Sequence, residues 1–519
     1  MLKKAASLMF HRLTITVLLI GVQLALLALM LLQFFEYFIY FYWLCIAISV
    51  VAVLWIVSSR SDPGYKIAWI IPILLFPVFG GLFYVLVGGN RLSLRAQQKM
   101  QGMERQMVTA LEGDCKTDGE WPGVETTLER YGEDAIRQAS YLEQYAHGPL
   151  YTNTEAAYFP LGDSVFPQML EQLKRARRYI FIEYFIIEEG VFWNSILEIL
   201  EEKAKAGVDV RVIYDDIGSL FTLPKKYAQK LEDKGIKCCV FNRFVPVLSL
   251  RLNNRDHRKL CIIDGHTGFT GGINLADEYI NRVEKYGHWK DSAILLRGEA
   301  VWSMTVMFLS MWDYIRGAQE NFAALRPRAE EMPQNCWEYF VQPYTDSPLD
   351  GEPVGETVYL NLITKAKDYV YLTTPYLILS DCVNRALCNA AKSGVDVRII
   401  TPHIPDKRII FEVTRAHYEP LLEAGVRIYE YTPGFVHAKN FVVDDRFGTV
   451  GTINMDYRSM FLHFENGVWL CGAPCLLDMK ADFLQTLKHC EAITLQRCRA
   501  HSSGRHLLRA VLRVLAPLM

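Results

Sequence analysis

Two stretches of 18 residues carry one shared pattern, and this pattern decides the fold. Residues 257–274 read HRKLCIIDGHTGFTGGIN, and residues 437–454 read HAKNFVVDDRFGTVGTIN. Both have the form H-x-K-x4-D, with a glycine seven residues and an asparagine ten residues after the aspartate. The two histidines, His257 and His437, are 180 residues apart. The spacing indicates that the chain contains two copies of one unit.

The sequence around these stretches repeats as well. After residue 140, short β-branched runs alternate with helical stretches, which is typical of βαβ units and a mostly parallel sheet. Residues 205–213, KAGVDVRVI, are echoed by residues 391–400, AKSGVDVRII. A buried strand at 179–187 is likewise echoed at 368–378. We therefore predict an α/β fold made of two duplicated α/β/α domains that pack about a pseudo-twofold axis.

Three apolar runs without charged residues open the chain, at 14–32, 37–57 and 67–87. A membrane core about 30 Å thick needs about 20 helical residues, so each run is long enough to cross it. Pro72 and Pro77 also allow the third run to be re-entrant, which would invert the orientation given by the positive-inside rule. We expect a multi-pass protein of the cell membrane with two or three transmembrane helices, and the sequence leaves the side of the catalytic part open.

Composition and segment boundaries limit the class of protein. Apolar residues make up 51% and charged residues 22% of the chain, which excludes a disordered protein, and the net charge of −2 argues against a nucleic-acid coat. We predict an anchor at 1–90, a linker at 91–139, a first domain at 140–316, a junction at 317–350, a second domain at 351–496 and a basic amphipathic helix at 497–519. That last helix suits either anionic lipid or ordinary core packing.

The motifs supply the candidate catalytic residues. Side chains two positions apart on a strand point to the same face, so the histidine and lysine of each motif point together. If the halves pair about a twofold axis, these groups converge on a cationic pocket suited to one phosphate, with Asn274 and Asn454 as supporting amide donors. The candidate catalytic residues are His257, Lys259, Asp264, His437, Lys439 and Asp444. Of these, the two aspartates fit a role in holding loops or backbone better than contact with phosphate.

Such a pocket supports phosphoryl chemistry without a metal ion or a cofactor. One neutral imidazole can attack phosphorus, and the other, when protonated, can give its proton to the leaving alkoxide. The lysines can stabilise charge on the equatorial oxygens, a task that Mg²⁺ performs elsewhere. No C-x-x-C pair occurs, so the twelve cysteines do not suggest a zinc site.

Each histidine needs a carboxylate that fixes its tautomer. Asp291 follows His257 by 34 residues, and Glu465 follows His437 by 28 residues. Both carboxylates precede apolar runs and therefore fit strand starts, so we expect them to be the histidine partners.

Several neighbouring polar residues have two interpretations each. His288 and His463 either support the motif histidines or are structural, and the structural role is favoured. Arg255 and Arg458 either hold a second phosphate or are charged surface residues.

The paired H-x-K-x4-D motif resembles the signature of the phospholipase D superfamily. Residues 66–91, 254–274, 288–291 and 436–465 are similar to bacterial cardiolipin synthases, and the resemblance covers roughly residues 45–519. It implies that two phosphatidylglycerol molecules give cardiolipin and glycerol through a phosphatidyl-histidine intermediate. It also implies that His257 is the nucleophile and that the second histidine is the general acid and base.

The partners implied by this resemblance are phosphatidylglycerol and anionic membrane lipid, without nucleic acid. A membrane-bound hydrolase that releases phosphatidic acid is the main alternative, because water and an alcohol can both resolve the intermediate. A lipid-binding protein without activity is a further alternative, against which the intact motif residues argue. The sequence leaves the oligomeric state open.

Overall fold

The computed structural model describes residues 38–59, 62–77, 79–87, 94–114, 128–243, 253–328 and 338–518, with isolated positions between 21 and 29 and at 330 and 332. The chain divides into two compact units. One unit contains residues 1–93, 242–254 and 514–519, and the other contains residues 94–241 and 255–513.

From residue 38 onwards, the described residues of the first unit form three apolar helices. They are α1 (Phe38–Ser58), α2 (Pro63–Leu75) and α3 (Gly80–Val87). Within the described part of the chain, Ile39–Ser58 is the one segment that is long and apolar enough to cross a membrane, with a mean hydropathy of 2.3. The first predicted run, 14–32, falls largely outside the described residues. Of the several membrane-spanning helices that the sequence predicts, the structure therefore supports one, which is α1.

The third predicted run does not form one continuous helix. It breaks between α2 and α3 because Pro77 disfavours helical geometry at the residue before it, and Phe76 has left the helix at φ −126° and ψ 67°. The chain then packs back on α1, where Ser49 Oγ donates to the carbonyl of Pro77 at 2.7 Å. Gly81 permits this approach, since a Cβ at that position would lie 2.6 Å from Cα of Ser49.

The second unit begins before the predicted first domain. Residues 91–139, expected to be a linker, instead contribute α4 (Leu94–Leu111) and the start of α5 (Glu133–Ala146). The apolar face of α4 is buried in the core, and the carbonyl of Ala110 accepts a hydrogen bond from Trp302 Nε1 at 3.2 Å. This burial explains why residues 94–111 are folded into the unit rather than forming part of a linker.

In the part that the structure describes, the first half of this unit contains nine strands and four helices. Its strands are β1 (Thr154–Phe159), β2 (Tyr179–Tyr184), β3 (Asp209–Asp215), β4 (Lys237–Phe241), β5 (Arg255–Asp256), β6 (Lys259–Ile263), β7 (Thr267–Gly271), β8 (His288–Lys290) and β9 (Ala293–Gly298). Its helices are α6 (Gly162–Arg175), α7 (Val191–Lys205), α8 (Tyr227–Glu232) and α9 (Ala300–Arg316).

The second half repeats this plan. Its strands are β10 (Phe340–Asp346), β11 (Tyr369–Thr373), β12 (Asp396–Pro402), β13 (Arg427–Tyr431), β14 (Gly434–Val436), β15 (Asn440–Val443), β16 (Phe447–Gly451), β17 (His463–Cys471) and β18 (Cys490–Ile493). Its helices are α10 (Val354–Thr364), α11 (Asp381–Lys392), α12 (Arg408–Ala416), α13 (Tyr418–Glu423), α14 (Tyr457–Phe461), α15 (Cys475–Leu487), α16 (Leu495–Arg499) and α17 (Ser503–Leu515). Because β10 is the edge strand of the second sheet, the predicted junction at 317–350 overlaps the second half.

The strand order confirms the duplication. The first sheet runs β1-β9-β7-β6-β2-β3-β4, and the second runs β10-β17-β16-β15-β11-β12-β13 with β18 added at its edge. Along these two strand orders, the parallel pairs are β2-β3 and β3-β4 in the first sheet and β11-β12 and β12-β13 in the second. The prediction of a mostly parallel sheet was wrong because the motif strands form hairpins, with tight turns after Ile263 and Val443.

A shared core joins the two sheets. Helix α9 lies within it, and all residues from 300 to 313 are buried. Alternate residues of β2 lie on opposite faces of the sheet. Phe181 packs in the shared core, whereas Ile180 and Ile182 are buried in the separate core on the other face of the first sheet. The two halves are therefore parts of one folded body.

The C-terminal helix α17 has its basic side against the protein. Arg505 and Arg509 both bind the carboxylate of Glu412, with Arg509 Nε at 2.9 Å. The solvent side is apolar, and three of its large side chains are at least half exposed: Leu507, Leu508 and Val511. The arginines that suggested contact with lipid headgroups thus include two that are engaged by a protein carboxylate.

Candidate active site

Two short strand pairs connect the halves immediately beside the motifs. Strand β5, which precedes the first motif histidine, pairs with the start of β17 in the second half, and β14, which precedes the second, pairs with β8 in the first half. The amide of His257 donates to the carbonyl of Phe464 at 2.9 Å, and that of His437 donates to the carbonyl of Lys290 at 2.7 Å. Each motif histidine is held against a strand of the opposite half.

The side chains of the motif histidines also bind residues of the opposite half. Nδ1 of His257 lies 2.9 Å from both carboxylate oxygens of Glu465, and Nδ1 of His437 lies 2.6 Å from Asp291. Sequence order puts each carboxylate with the histidine of its own half, but the structure pairs them across the halves. Because Nδ1 of each ring is bound to a carboxylate, Nε2 is the atom that remains available for chemistry.

The motif lysines are buried beside these pairs. Nζ of Lys259 donates to the carbonyl of His257 at 2.6 Å, and Nζ of Lys439 donates to the carbonyl of His437. Burial lowers the pKa of Lys259 to about 7 and that of Lys439 to about 8, against the attraction of the two buried carboxylates. An anionic ligand between the histidines would stabilise both ammonium groups.

The two motif histidines bind carboxylates that are in different electrostatic states. Burial and the neighbouring lysine lower the pKa of His257 well below its ordinary value and that of His437 to about 4. Burial raises the pKa of Glu465 well above its usual range, whereas Lys439 and His437 outweigh burial and keep the pKa of Asp291 below its usual range. An ionised carboxylate stabilises an imidazolium, so His437 has the partner that a proton donor needs.

The motif aspartates lie elsewhere. Asp264 and Asp444 end the motif strands, about 17 Å along the strand from the lysines. Each accepts hydrogen bonds of 2.7 to 2.9 Å from three consecutive backbone amides where the neighbouring strand starts. The amides belong to Arg177, Arg178 and Tyr179 in the first half and to Lys367, Asp368 and Tyr369 in the second. These contacts support the role in holding backbone that the sequence favours for both aspartates, and their place among the catalytic residues stays a prediction.

The motif asparagines brace the loops around the site. Oδ1 of Asn274 accepts from the amide of Ile186 at 3.1 Å, and its Nδ2 donates to the hydroxyl of Tyr279 at 2.8 Å. Nδ2 of Asn454 donates to Ser459 Oγ at 3.0 Å. The expected amide donors are thus already engaged within the protein, and they position the groups that line the site.

Most of the side chains that line the site were not predicted from the sequence. Three aromatic rings lie with their centroids 5.5 to 5.8 Å from that of His437, namely Tyr279, Trp289 and Phe435. Phe185 lies 5.0 Å and His463 5.4 Å from the ring of His257. The position of His463, two residues before Glu465 on one strand, was the available signal, because residues two apart share a face. His288, in contrast, is exposed and hydrogen-bonds Tyr431.

One cluster has the spacing of metal ligands. His257, His463 and Glu465 offer donor atoms within 4.8 Å of one another. Burial and several cations, including Lys259 and Arg255, lower the pKa of His463 well below its ordinary value. Surroundings that disfavour protonation of His463 also disfavour a bound metal cation. The charge around this cluster therefore suits an anion better.

The duplicated fold and the twin motifs define a protein of the phospholipase D superfamily. The chain matches the family model described as cardiolipin synthase, PLD-like domain, over residues 169–312 and 359–487. It also matches the phospholipase D-nuclease N-terminal model over residues 47–89. More narrowly, the chain belongs to the cardiolipin synthase family of PLD-like proteins.

Relatives and a solved structure agree with this placement. A cardiolipin synthase of Geobacillus sp. (strain WCH70) is 33% identical, over 91% of this chain and 93% of that protein. An uncharacterized protein of Streptococcus mutans is 43% identical, over 90% of this chain and 99% of that protein. The crystal structure of phosphatidylserine synthase from Haemophilus influenzae Rd KW20 has the same fold, with a TM-score of 0.54 at 17% identity, and the match covers 74% of this chain and 97% of that one.

Proposed function

We propose that this protein is a cardiolipin synthase, a phosphatidyltransferase that moves the phosphatidyl group of one phosphatidylglycerol to a hydroxyl of a second and releases glycerol. The observation that carries the proposal is the exchange of carboxylates between the halves, which orients both His257 and His437 within one buried site. Membership of the cardiolipin synthase family supports it.

In the first step, Nε2 of neutral His257 attacks the phosphorus of the donor lipid. An N–P bond forms as the P–O bond to the glycerol headgroup breaks, and the imidazolium of His437 gives its proton to the leaving oxygen. The assignment rests on the ionised partner of His437, Asp291, which stabilises an imidazolium, and on the bound anionic phosphate, which would raise the pKa of His437 from its low value in the free site. It agrees with the roles implied by the motif order.

In the second step, a hydroxyl of the second phosphatidylglycerol attacks the phosphatidyl-histidine. Neutral His437 takes the hydroxyl proton, the new P–O bond forms, and the N–P bond to His257 breaks. Lys259 and Lys439 balance the charge on the equatorial oxygens in both steps, which stabilises the transition state without a metal ion.

The N-terminal unit would hold this chemistry at its lipid substrate. We propose that α1 spans the membrane as part of a multi-pass anchor and that α2 and α3 form a re-entrant hairpin. The break at Phe76 and the packing of Pro77 on Ser49 support the hairpin. The resulting protein would be multi-pass.

The proposal is tested by product analysis of the purified protein in vesicles of phosphatidylglycerol alone. We expect cardiolipin and free glycerol in equal amounts, whereas phosphatidic acid as the sole lipid product would identify a hydrolase. His257→Ala and His437→Ala should each abolish turnover. His288→Ala is the matched control, because this exposed histidine bonds Tyr431 and should leave turnover unchanged. Activity in either motif variant would contradict the two-histidine scheme.

A further inference from the structure

The repeat allows the surroundings of the two motif histidines to be compared position by position. In the strand pair beside His437, Phe435 faces Trp289, and in the equivalent pair beside His257, Arg255 faces His463. An aromatic pair on one side of the site is thus replaced by a basic pair on the other. The site has one aromatic flank and one cationic flank.

Two further cations belong to the cationic flank. Arg458 stands four residues after the motif asparagine, where the first half has Glu278. Lys407 lies over the ring of Tyr376, whose centre is 6.5 Å from that of Phe435, so this lysine also borders the aromatic flank while it acts on His463. After burial, the groups that lower the pKa of His463 are Arg458, Lys259, Arg255 and Lys407. Several cations of this flank therefore act on one imidazole, that of His463.

Among the described residues, the imidazole of His463 is a buried polar group without a hydrogen bond. Its side chain is buried, with 8% of the residue exposed, and within the described part of the chain neither ring nitrogen has a hydrogen-bond partner. The nearest carboxylate oxygen, on Glu465, is 3.6 Å from Nδ1, which is too far for a hydrogen bond. A buried polar group without a partner is unusual and marks a place where a ligand can supply the missing bond.

We propose that His463, Arg458, Arg255 and Lys407 form a second anion subsite, which binds the phosphodiester of the acceptor lipid. This inference rests on the proposed function. An acceptor phosphatidylglycerol carries its own phosphodiester three carbons from the attacking hydroxyl, and the ring of His463 lies only 5.4 Å from that of His257. One glycerol can therefore connect the reacting phosphorus to this subsite.

The subsite would decide which nucleophile resolves the intermediate. Water and free glycerol have no phosphodiester and gain nothing from the cationic flank, whereas phosphatidylglycerol does. Arg255 is kept in place by Asp215, 3.3 Å away, and so presents a fixed charge. The structure thereby supplies a reason for transfer rather than hydrolysis that the motif residues alone do not contain.

The test compares two reactions of one intermediate in the full-length protein. Cardiolipin formation uses an acceptor with a phosphodiester, and exchange of labelled glycerol into phosphatidylglycerol uses an acceptor without one. Glycerol must react with the intermediate, since this step is the reverse of donor cleavage. The ratio of the two rates isolates acceptor recognition, because a defect in folding or in the chemical step lowers both.

The test variants are Lys407→Gln, Arg458→Gln and His463→Gln. Lys407 is exposed, so its replacement carries little folding risk. We expect each variant to lower the ratio of cardiolipin formation to glycerol exchange roughly tenfold, the effect of losing one hydrogen bond to a charged group. Arg497→Gln is the matched control, because this exposed arginine pairs with Glu491 and should leave the ratio unchanged.

The outcomes separate the two proposals. If the wild type makes cardiolipin but the three variants keep its ratio, the subsite is overturned and the proposed function stands. If the wild type makes no cardiolipin, the proposed function itself fails. Titration with inorganic phosphate distinguishes the source of the anion: loss of cardiolipin formation at submillimolar phosphate, with glycerol exchange retained, would mean a free-phosphate site and would overturn the lipid assignment.

Discussion

Asp291 and His437 are 146 residues apart and belong to different halves of the protein, yet the carboxylate lies 2.6 Å from Nδ1 of the imidazole. The reciprocal pair, His257 with Glu465, spans 208 residues. Neither half can therefore orient its own histidine. The duplication places each catalytic ring under the control of the other half, so the site forms only when both halves have folded and docked.

The two carboxylates should differ in importance. Asp291 is held in its ionised form, whereas burial raises the pKa of Glu465 and favours its neutral form. Asp291→Asn removes a charge that supports the imidazolium of His437, and we expect kcat to fall at least 100-fold. Glu465→Gln removes a carboxylate whose ionised form burial already disfavours and keeps its shape, and we expect a loss at least tenfold smaller. Equal losses in steady-state cardiolipin synthesis would contradict this asymmetry.

Gly272 makes room for the Asp291 carboxylate. A Cβ at this position would lie 2.0 Å from Oδ1 of Asp291, so Gly272→Ala must displace the carboxylate that orients His437. We expect kcat to fall at least tenfold while KM for phosphatidylglycerol changes little, because the substitution disturbs the proton donor. Gly102→Ala is the control, since a Cβ there meets nothing within 4 Å. A variant with normal kcat would show that Asp291 does not need its present position.

The motif aspartate Asp264 should affect stability rather than catalysis. Its carboxylate receives three backbone amides at the start of β2, and a neutral amide there weakens these charge-assisted bonds. We expect Asp264→Asn to lower the free energy of unfolding by roughly 2 kcal/mol, measured by denaturant titration in detergent. Turnover per folded molecule should remain within twofold of the wild type, and a 100-fold loss would keep the aspartate in the catalytic set.

The pattern of the sequence was sufficient for the duplication and for the pairing of histidine with lysine. Both are local features, because the spacing of two residues on a strand fixes which side chains share a face. The exchange of Asp291 and Glu465 was not predictable in this way. It depends on the pairing of β5 with β17 and of β14 with β8, and strands of two or three residues have no periodicity that a sequence can reveal.

The side chains that line the site were not predictable from the sequence for the same reason, since they come together only when the halves pair. Arg255 and Phe435 stand two residues before the two motif histidines, but only the docked halves show that they lie on opposite flanks of one site. The linker prediction at 91–139 failed differently. Helix α4 is polar on most of its surface, and the few apolar residues that bury it, among them Met107 and Leu111, find their partners nearly 200 residues later in α9.

The pH dependence of the reaction should follow the lysines. Burial lowers the pKa of Lys259 to about 7 and that of Lys439 to about 8, so both are charged below these values and lose their charge as the pH rises. The charged forms bind the phosphodiester, and kcat/KM reports the free enzyme. We expect kcat/KM to decline as the pH rises through 7 to 8, measured with phosphatidylglycerol in mixed micelles. A constant kcat/KM up to pH 9 would contradict a role for these lysines as cations.

The attachment of the C-terminal helix should depend on Glu412. Arg505 and Arg509 outweigh the effect of burial and lower the pKa of this carboxyl to about 2. A folded-state pKa below the unfolded value gives stability that is complete above pH 4.5 and is lost as the pH falls towards 2. At neutral pH we expect Glu412→Gln to lower the local stability of α17 by roughly 1 to 2 kcal/mol, because Arg509 is buried but Arg505 is partly exposed.

Hydrogen exchange of the α17 amides measures this effect directly. The matched control is Glu419→Gln, whose partner Arg499 is largely exposed, so that solvent already screens the pair and exchange should change little. In the wild type, the protection of these amides should fall part of the way towards that of Glu412→Gln between pH 4.5 and pH 3, because the stability from this carboxylate is lost gradually as the pH falls towards its folded-state pKa of about 2. If both variants accelerate exchange equally, the helix is held by its apolar contacts rather than by the buried arginine, and the basic side of α17 has no special role in docking.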